Sequence, residues 1–100
     1  MNLKEERERI LKTLKNLKPL LKERYGVKSL AVFGSVVRGD FNEKSDVDIL
    51  IELEKPIGLE FVELVEFLSK TLRRKVDLIT PRMLKNPVVR KSVEEELTYV

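Results

Sequence analysis

Asp46 and Asp48 lie two residues apart at the head of an apolar run, Val47, Ile49, Leu50 and Ile51. A strand alternates its faces, so both carboxylates should project from the same side. Asp is a poor strand former, and two like charges on one face repel. A divalent cation is the natural offset for that cost. Upstream, Gly34 and Ser35 follow a second apolar run, Leu30 to Phe33. That pattern describes a strand, a tight turn and a short helix whose first amides could hold a phosphate. A phosphate holder beside paired metal ligands is the equipment of nucleotide chemistry.

Composition narrows the alternatives. The chain has no Cys and no His. This removes disulfides, thiolate nucleophiles, zinc-thiolate sites and the commonest general base. Any chemistry must rest on carboxylates, hydroxyls, Lys, Arg and hard oxygen-bound metals. No Gly-x-x-x-x-Gly-Lys-Ser/Thr run is present, which excludes a P-loop ATPase. One hundred residues imply one domain, residues 1–100, with a modest core. No apolar stretch approaches the ~20 residues needed to span a bilayer, and the charged N-terminus is unlike a signal peptide, so the expected location is the cytoplasm. The charged fraction of 37%, with Gln absent, leans towards a thermophile.

The net charge of +3 hides a pattern. Residues 1–30 carry nine basic and four acidic groups; residues 31–72 carry four and nine; residues 73–100 carry seven and four. The acidic middle is where a metal would go. The basic flanks suit phosphates, nucleic acid or an acidic partner, although solvated surface charge accounts for most of these side chains.

The elements that must position these groups follow from periodicity. Residues 3–17 read as an amphipathic helix with Leu3, Ile10, Leu14 and Leu17 on one stripe. Pro19 should break or kink it, leaving a short second helix from Pro19 to Arg24 ended by Gly26. Strands are expected at Val27 to Phe33, Val47 to Leu53 and Lys75 to Ile79, with a helical turn at Ser35 to Arg38. Leu59 to Leu72 is the clearest helix, with Phe61, Leu64, Val65, Leu68 and Leu72 on its core face. Val62 and Phe67 fall off that stripe; Phe67 is either exposed or part of a core that wraps further round. Thr80-Pro81 and Asn86-Pro87 each read as an N-cap followed by a first-turn proline, starting a turn of helix at Arg82 and a last helix near Pro87 to Glu96. Thr98 to Val100 would add a short edge strand.

The second and third strands are joined through a full helix, which predicts parallel neighbours. The short link between the first and second predicts an antiparallel pair. The expected fold is α/β (α+β): a small mixed sheet with packed helices and its functional groups gathered at one edge.

The complete pattern is Gly34-Ser35-x-x-Arg38-Gly39, five residues, then Ser45-Asp46-x-Asp48-Ile49. Each piece alone is weak; the whole string between two strands is specific. It resembles the signature of the DNA polymerase beta superfamily of nucleotidyltransferases, and within it the minimal nucleotidyltransferases of prokaryotes, which are little more than the catalytic palm. That resemblance implies that Gly34 and Ser35 hold triphosphate oxygens, that Arg38 lies near the nucleotide, and that Asp46 and Asp48 ligate the metals. A third carboxylate is expected on a later strand, and Asp77 in Lys75-Val76-Asp77-Leu78-Ile79 matches its position. Read singly, Asp77 would pair with Lys75 or Arg74; read with Asp46 and Asp48, it completes the site for the metal that activates the acceptor hydroxyl. Arg38 could instead pair with Asp40 or Asp46, and Ser45 reads as a cap of the turn into the second strand.

Two Mg²⁺ ions suit an all-carboxylate site completed by water and phosphate, with ATP as substrate. The resemblance implies transfer of a nucleoside monophosphate, AMP from ATP, to an acceptor hydroxyl. It further implies a small all-helical HEPN-type partner whose tyrosine receives the AMP, the pair acting as toxin and antitoxin. A homo-dimer and a hetero-oligomer both stay open. The alternative is an antitoxin or accessory module that acts by binding alone. A nucleic-acid-binding module is disfavoured, since the six aromatics follow no stacking pattern.

Overall fold

The computed structural model describes residues 2–100. The chain opens with α1 (Leu3–Tyr25), followed by β1 (Val27–Phe33), the single turn α2 (Ser35–Arg38), β2 (Val47–Leu53), α3 (Glu60–Leu72) and β3 (Val76–Ile79). A 3-10 turn (Pro81–Met83), α4 (Pro87–Glu96) and β4 (Thr98–Tyr99) complete it. The sheet order is β3-β2-β1-β4. β1 pairs antiparallel with β2 and with β4, and β2 pairs parallel with β3. The expected mixed sheet and both strand orientations are therefore present, including the short edge strand at Thr98.

α1 departs from expectation. It runs unbroken through Pro19 as one helix of 23 residues. An interior proline loses one helical hydrogen bond and crowds the carbonyl four residues back, about 3 kcal/mol. Packing offsets this. The buried positions Ile10, Leu14, Leu21 and Tyr25 continue one stripe past the proline, and burial of that face outweighs local propensity. Pro19 and Lys15, whose carbonyl loses its partner, both lie on the exposed side. Leu3, expected on the stripe, is 37% exposed. Gly26 ends the helix as expected, in the left-handed conformation, its N–H donating to the carbonyls of Leu21 and Lys22.

The two faces of the sheet are unequal. Val47, Ile49 and Ile51 of β2, with Val76 and Leu78 of β3, join Leu30 and Val32 of β1 in the main core beneath α1 and α3. The opposite face carries a smaller cluster of Phe33, Leu50 and Val93, the last from α4, with Ile79, Leu84 and Leu97 packed on it. By alternation, Asp48 shares that second face with Leu50, as Asp77 does with Ile79. Phe67 is half-buried against the main core, so the core does wrap further round α3, while Val62 is exposed. Asn86 caps α4 by accepting from the amides of Val88 and Val89. Thr80 precedes the 3-10 turn, but its side chain makes no capping bond. No helix among the described residues is long and apolar enough to cross a membrane.

Candidate active site

The expected site residues meet at one end of the sheet, where β1 ends and β2 and β3 begin. Phe33, the last residue of β1, lies opposite Asp48, and Asp48 lies opposite Asp77. Gly34 therefore turns the chain directly beside Asp48. Asp46 precedes the first residue of β2, whose N–H donates to the carbonyl of Lys75 at 2.9 Å.

Gly34 has φ 75° and ψ −148°, a conformation only glycine adopts readily. A Cβ there would stand 2.1 Å from Oδ2 of Asp48. The glycine is thus required first by the carboxylate beneath it, whereas the sequence pointed to room for a phosphate. The turn that follows is closed by the amides of Val37 and Arg38, which donate to the Gly34 carbonyl at 3.0 and 2.9 Å. The amides of Ser35 and Val36 are first in the helix and have no helical acceptor, so they suit an anion.

The carboxylates feel one another. Burial, then the charges of Asp77 and Asp46, push Asp48 from an ordinary 3.8 up to about 6. Asp77 is exposed and forms no ion pair among the described residues. Its expected alternative partner Arg74 instead holds Glu6. Among the described residues the carboxylates do not already close round one point as a finished metal cage. The register sets Asp48 opposite Asp77, with Asp46 two residues before Asp48, and hard carboxylate oxygens are the donor type that suits a divalent cation completed by water and phosphate.

Arg38 donates to Glu96 Oε2 at 3.1 Å and to Asp40 Oδ2 at 3.3 Å. The Asp40 pair was one expected alternative; Glu96, at the end of α4, was not foreseen. These two carboxylates, Glu96 first, raise the Arg38 pKa further. Ser45 caps its turn as expected, its Oγ accepting from the Asn42 amide at 2.9 Å.

Sequence reasoning also missed the braces around the site. Arg74 donates through Nε and Nη2 to Glu6 at 3.0 and 3.1 Å, and its hydrogen bond holds the Glu6 carboxyl below the usual range. Arg7 of α1 donates to the carbonyl of Val36 in α2, and Arg9 to the carbonyl of Leu72 at 2.9 Å. Partners 68 residues apart leave no trace in local spacing. A cavity of about 880 Å³ lies elsewhere, at the far ends of β2 and β3 between Leu53, Phe61, Thr80 and Met83.

Residues 14–100 match the family described as nucleotidyltransferase domain. A Methanocaldococcus jannaschii protein named as a candidate protein adenylyltransferase is 48% identical over 94 residues, spanning 91% of this chain and 94% of that protein. Protein adenylyltransferase MntA of Thermococcus cleftensis is 47% identical over 81 residues, spanning 80% of this chain and 81% of the relative. Among solved structures, a candidate minimal nucleotidyltransferase superposes with a TM-score of 0.74 at 33% identity, covering 100% of this chain and 97% of that one. A Shewanella oneidensis complex of a tri-AMPylated HEPN toxin with an MNT antitoxin shares the fold, with a TM-score of 0.61 at 22% identity over 89% of this chain and 68% of that one. With a domain match over residues 14–100 and relatives nearly half identical over most of its length, the chain belongs to the nucleotidyltransferase domain family.

Proposed function

We propose that this chain is a Mg²⁺-dependent protein adenylyltransferase that moves AMP from ATP to a hydroxyl of a partner protein. The observation that carries the reading is the placement of Asp48 opposite Asp77, with Asp46 two residues before it, beside the Gly34–Ser35 turn, Asp48 being pushed up to about 6 first by burial and then by the charges of Asp77 and Asp46. Such a concentration of negative charge is costly unless a cation is part of the working state. The relatives named as protein adenylyltransferases point to a protein acceptor.

The acceptor oxygen attacks the α-phosphorus, the bond from that phosphorus to the bridging oxygen breaks, and pyrophosphate leaves. The amides of Ser35 and Val36 hold phosphate oxygens, and Gly34 keeps the backbone clear of Asp48. Asp46 and Asp48 would hold Mg²⁺, with Asp77 completing the set on the acceptor side. Bound Mg²⁺ would neutralise charge on the entering and leaving oxygens of the in-line displacement. Asp77, exposed and without an ion pair among the described residues, is the group available to take the acceptor proton. Arg38, held between Glu96 and Asp40, stands ready at the C-terminal end of α2 to meet a phosphate.

The acceptor we favour is a tyrosine of a small helical HEPN-type toxin, which makes this chain an antitoxin. The fold likeness to an MNT antitoxin bound to an AMPylated HEPN toxin supports that choice. Asp46→Asn and Asp48→Asn should each lose Mg²⁺-dependent pyrophosphate release in the presence of the partner while remaining folded by circular dichroism. Release at the wild-type rate from either folded variant would contradict the assignment.

A further inference from the structure

Asp46 is gripped from both flanks by two consecutive residues that lead towards Asp77. On one side, the carbonyl of Ser45 accepts from Arg74 Nη1 at 2.7 Å. On the other, the N–H of Val47 donates to the carbonyl of Lys75 at 2.9 Å. The same Nη1 also reaches the carbonyls of Asn42 and Glu43 at 3.0 and 3.4 Å. The guanidinium stacks 4.3 Å from the centre of the Phe41 ring, and only 8% of its side chain is exposed. A buried cation needs a charged partner, and Glu6 of α1 supplies it with both carboxylate oxygens.

We infer that Arg74 is a positioning residue for the metal-binding carboxylate of Asp46, fixing the loop of residues 41–45 to the start of β3 so that Asp46 meets Asp48 and Asp77 in one register. The inference rests on the nucleotidyltransferase reading of Asp46. All three guanidinium nitrogens donate: Nε and Nη2 to Glu6, Nη1 to the loop. Only a planar fork makes those two sets of bonds at once, and a lysine ammonium cannot replace it. Besides Arg74, the loop is anchored by Phe41, which is buried in the main core. Its remaining hydrogen bonds are short-range ones among Asp40, Asn42, Lys44 and Ser45, which shape the loop without tying it to the sheet. Arg74 therefore adds, beside the β2–β3 ladder, a tie from the loop before Asp46 to the chain entering β3, and α1 contributes through Glu6.

The test is calorimetric titration of the full chain with a non-hydrolysable ATP analogue, with and without Mn²⁺, in wild type, Arg74→Lys and Arg74→Met. Circular dichroism at the titration temperature establishes the folded fraction. Partners that orient metal ligands typically contribute 10–100-fold in metal affinity. The Mn²⁺-dependent gain in nucleotide affinity should accordingly fall about 10–100-fold in folded Arg74→Lys, while metal-free nucleotide affinity stays at the wild-type value. A role in stability alone would lower the melting temperature and leave the Mn²⁺ gain of the folded chain unchanged. Should Arg74→Met fail to fold, Arg74→Lys, which keeps the charge and the stem, decides the matter. Folded Arg74→Lys with the full wild-type Mn²⁺ gain overturns the positioning role alone. Wild type without any Mn²⁺ gain overturns the reading of Asp46 and the role of Arg74 with it.

Discussion

Asp48 carries the clearest electrostatic consequence at the scale of single residues. Its carboxyl is raised from 3.8 to about 6, first by burial and then by Asp77 and Asp46. Between those two values the folded chain binds this proton more tightly than the unfolded chain does. Stability of the metal-free protein should therefore fall as pH rises from about 4 to about 6 and level off above. The shift of about two units corresponds to about 3 kcal/mol, and partial exposure of the carboxylate reduces this to about 1 kcal/mol. Asp48→Asn should recover that amount at pH 7 and none of it near pH 3. Urea melts of both proteins across pH, without divalent cation, would show this; a variant no more stable than wild type at pH 7 would contradict it. Protons and metal compete for the same oxygens, so Mg²⁺-nucleotide affinity should also weaken below pH 6.

Gly34 makes the complementary case. Its positive φ and the Asp48 oxygen 2.1 Å from a notional Cβ act together. Gly34→Ala should destabilise by about 1–3 kcal/mol through backbone strain, and it should also displace the Asp48 carboxylate and weaken metal-nucleotide binding. Thermal melts and Mn²⁺-nucleotide titration would check the two effects separately. Wild-type values in both would remove the glycine from the site. The sequence marked Gly34 as a phosphate holder, and the structure adds a second constraint, the Asp48 carboxylate. The close approach is between β1 and β2, which only their antiparallel register reveals.

At the scale of elements, strand bounds and the parallel crossover were legible because apolar runs and linker lengths are local properties. Helix α1 was not, because Pro19 is a strong local signal overruled by a distant one. The stripe Ile10, Leu14, Leu21 and Tyr25 faces a sheet that does not exist until β1, β2 and β3 have paired. Pro19→Ala should therefore stabilise the protein, by up to about 3 kcal/mol, since it restores a helical donor on an exposed face without touching the core. Equilibrium unfolding in urea would measure it. No gain would mean that the helix is interrupted at this residue in solution. Arg73 was likewise unforeseen: it ends α3 at φ 57°, the only positive value outside glycine among the described residues.

Over the whole molecule, the site is a junction of three strand ends braced by a helix that contributes no chemistry of its own. Glu6, Arg7 and Arg9 of α1 reach Arg74, Val36 and Leu72. The phosphate turn, the loop before Asp46 and the end of α3 are thus referred to one rigid element. Spacing paired Asp46 with Asp48, and the family resemblance added Asp77; the parallel register places Asp77 opposite Asp48. The braces, and the Arg38–Glu96 pair linking α2 to the end of α4, depend on tertiary packing and escape any local pattern.

Asp77 is the residue that best separates AMP transfer from binding alone. Under the proposed mechanism Asp46 and Asp48 would hold a metal-nucleotide without an acceptor, whereas Asp77 would be needed when a hydroxyl must be aligned and deprotonated. Loss of such a group typically costs 10²–10⁴-fold in rate. The measurement is mass spectrometry of a HEPN-type partner incubated with ATP, Mg²⁺ and either wild type or Asp77→Asn. The account predicts AMP adducts on the partner with wild type and transfer slowed by at least about 10²-fold with Asp77→Asn, both chains binding the partner equally. A partner neutralised by wild type yet left without any adduct would contradict it.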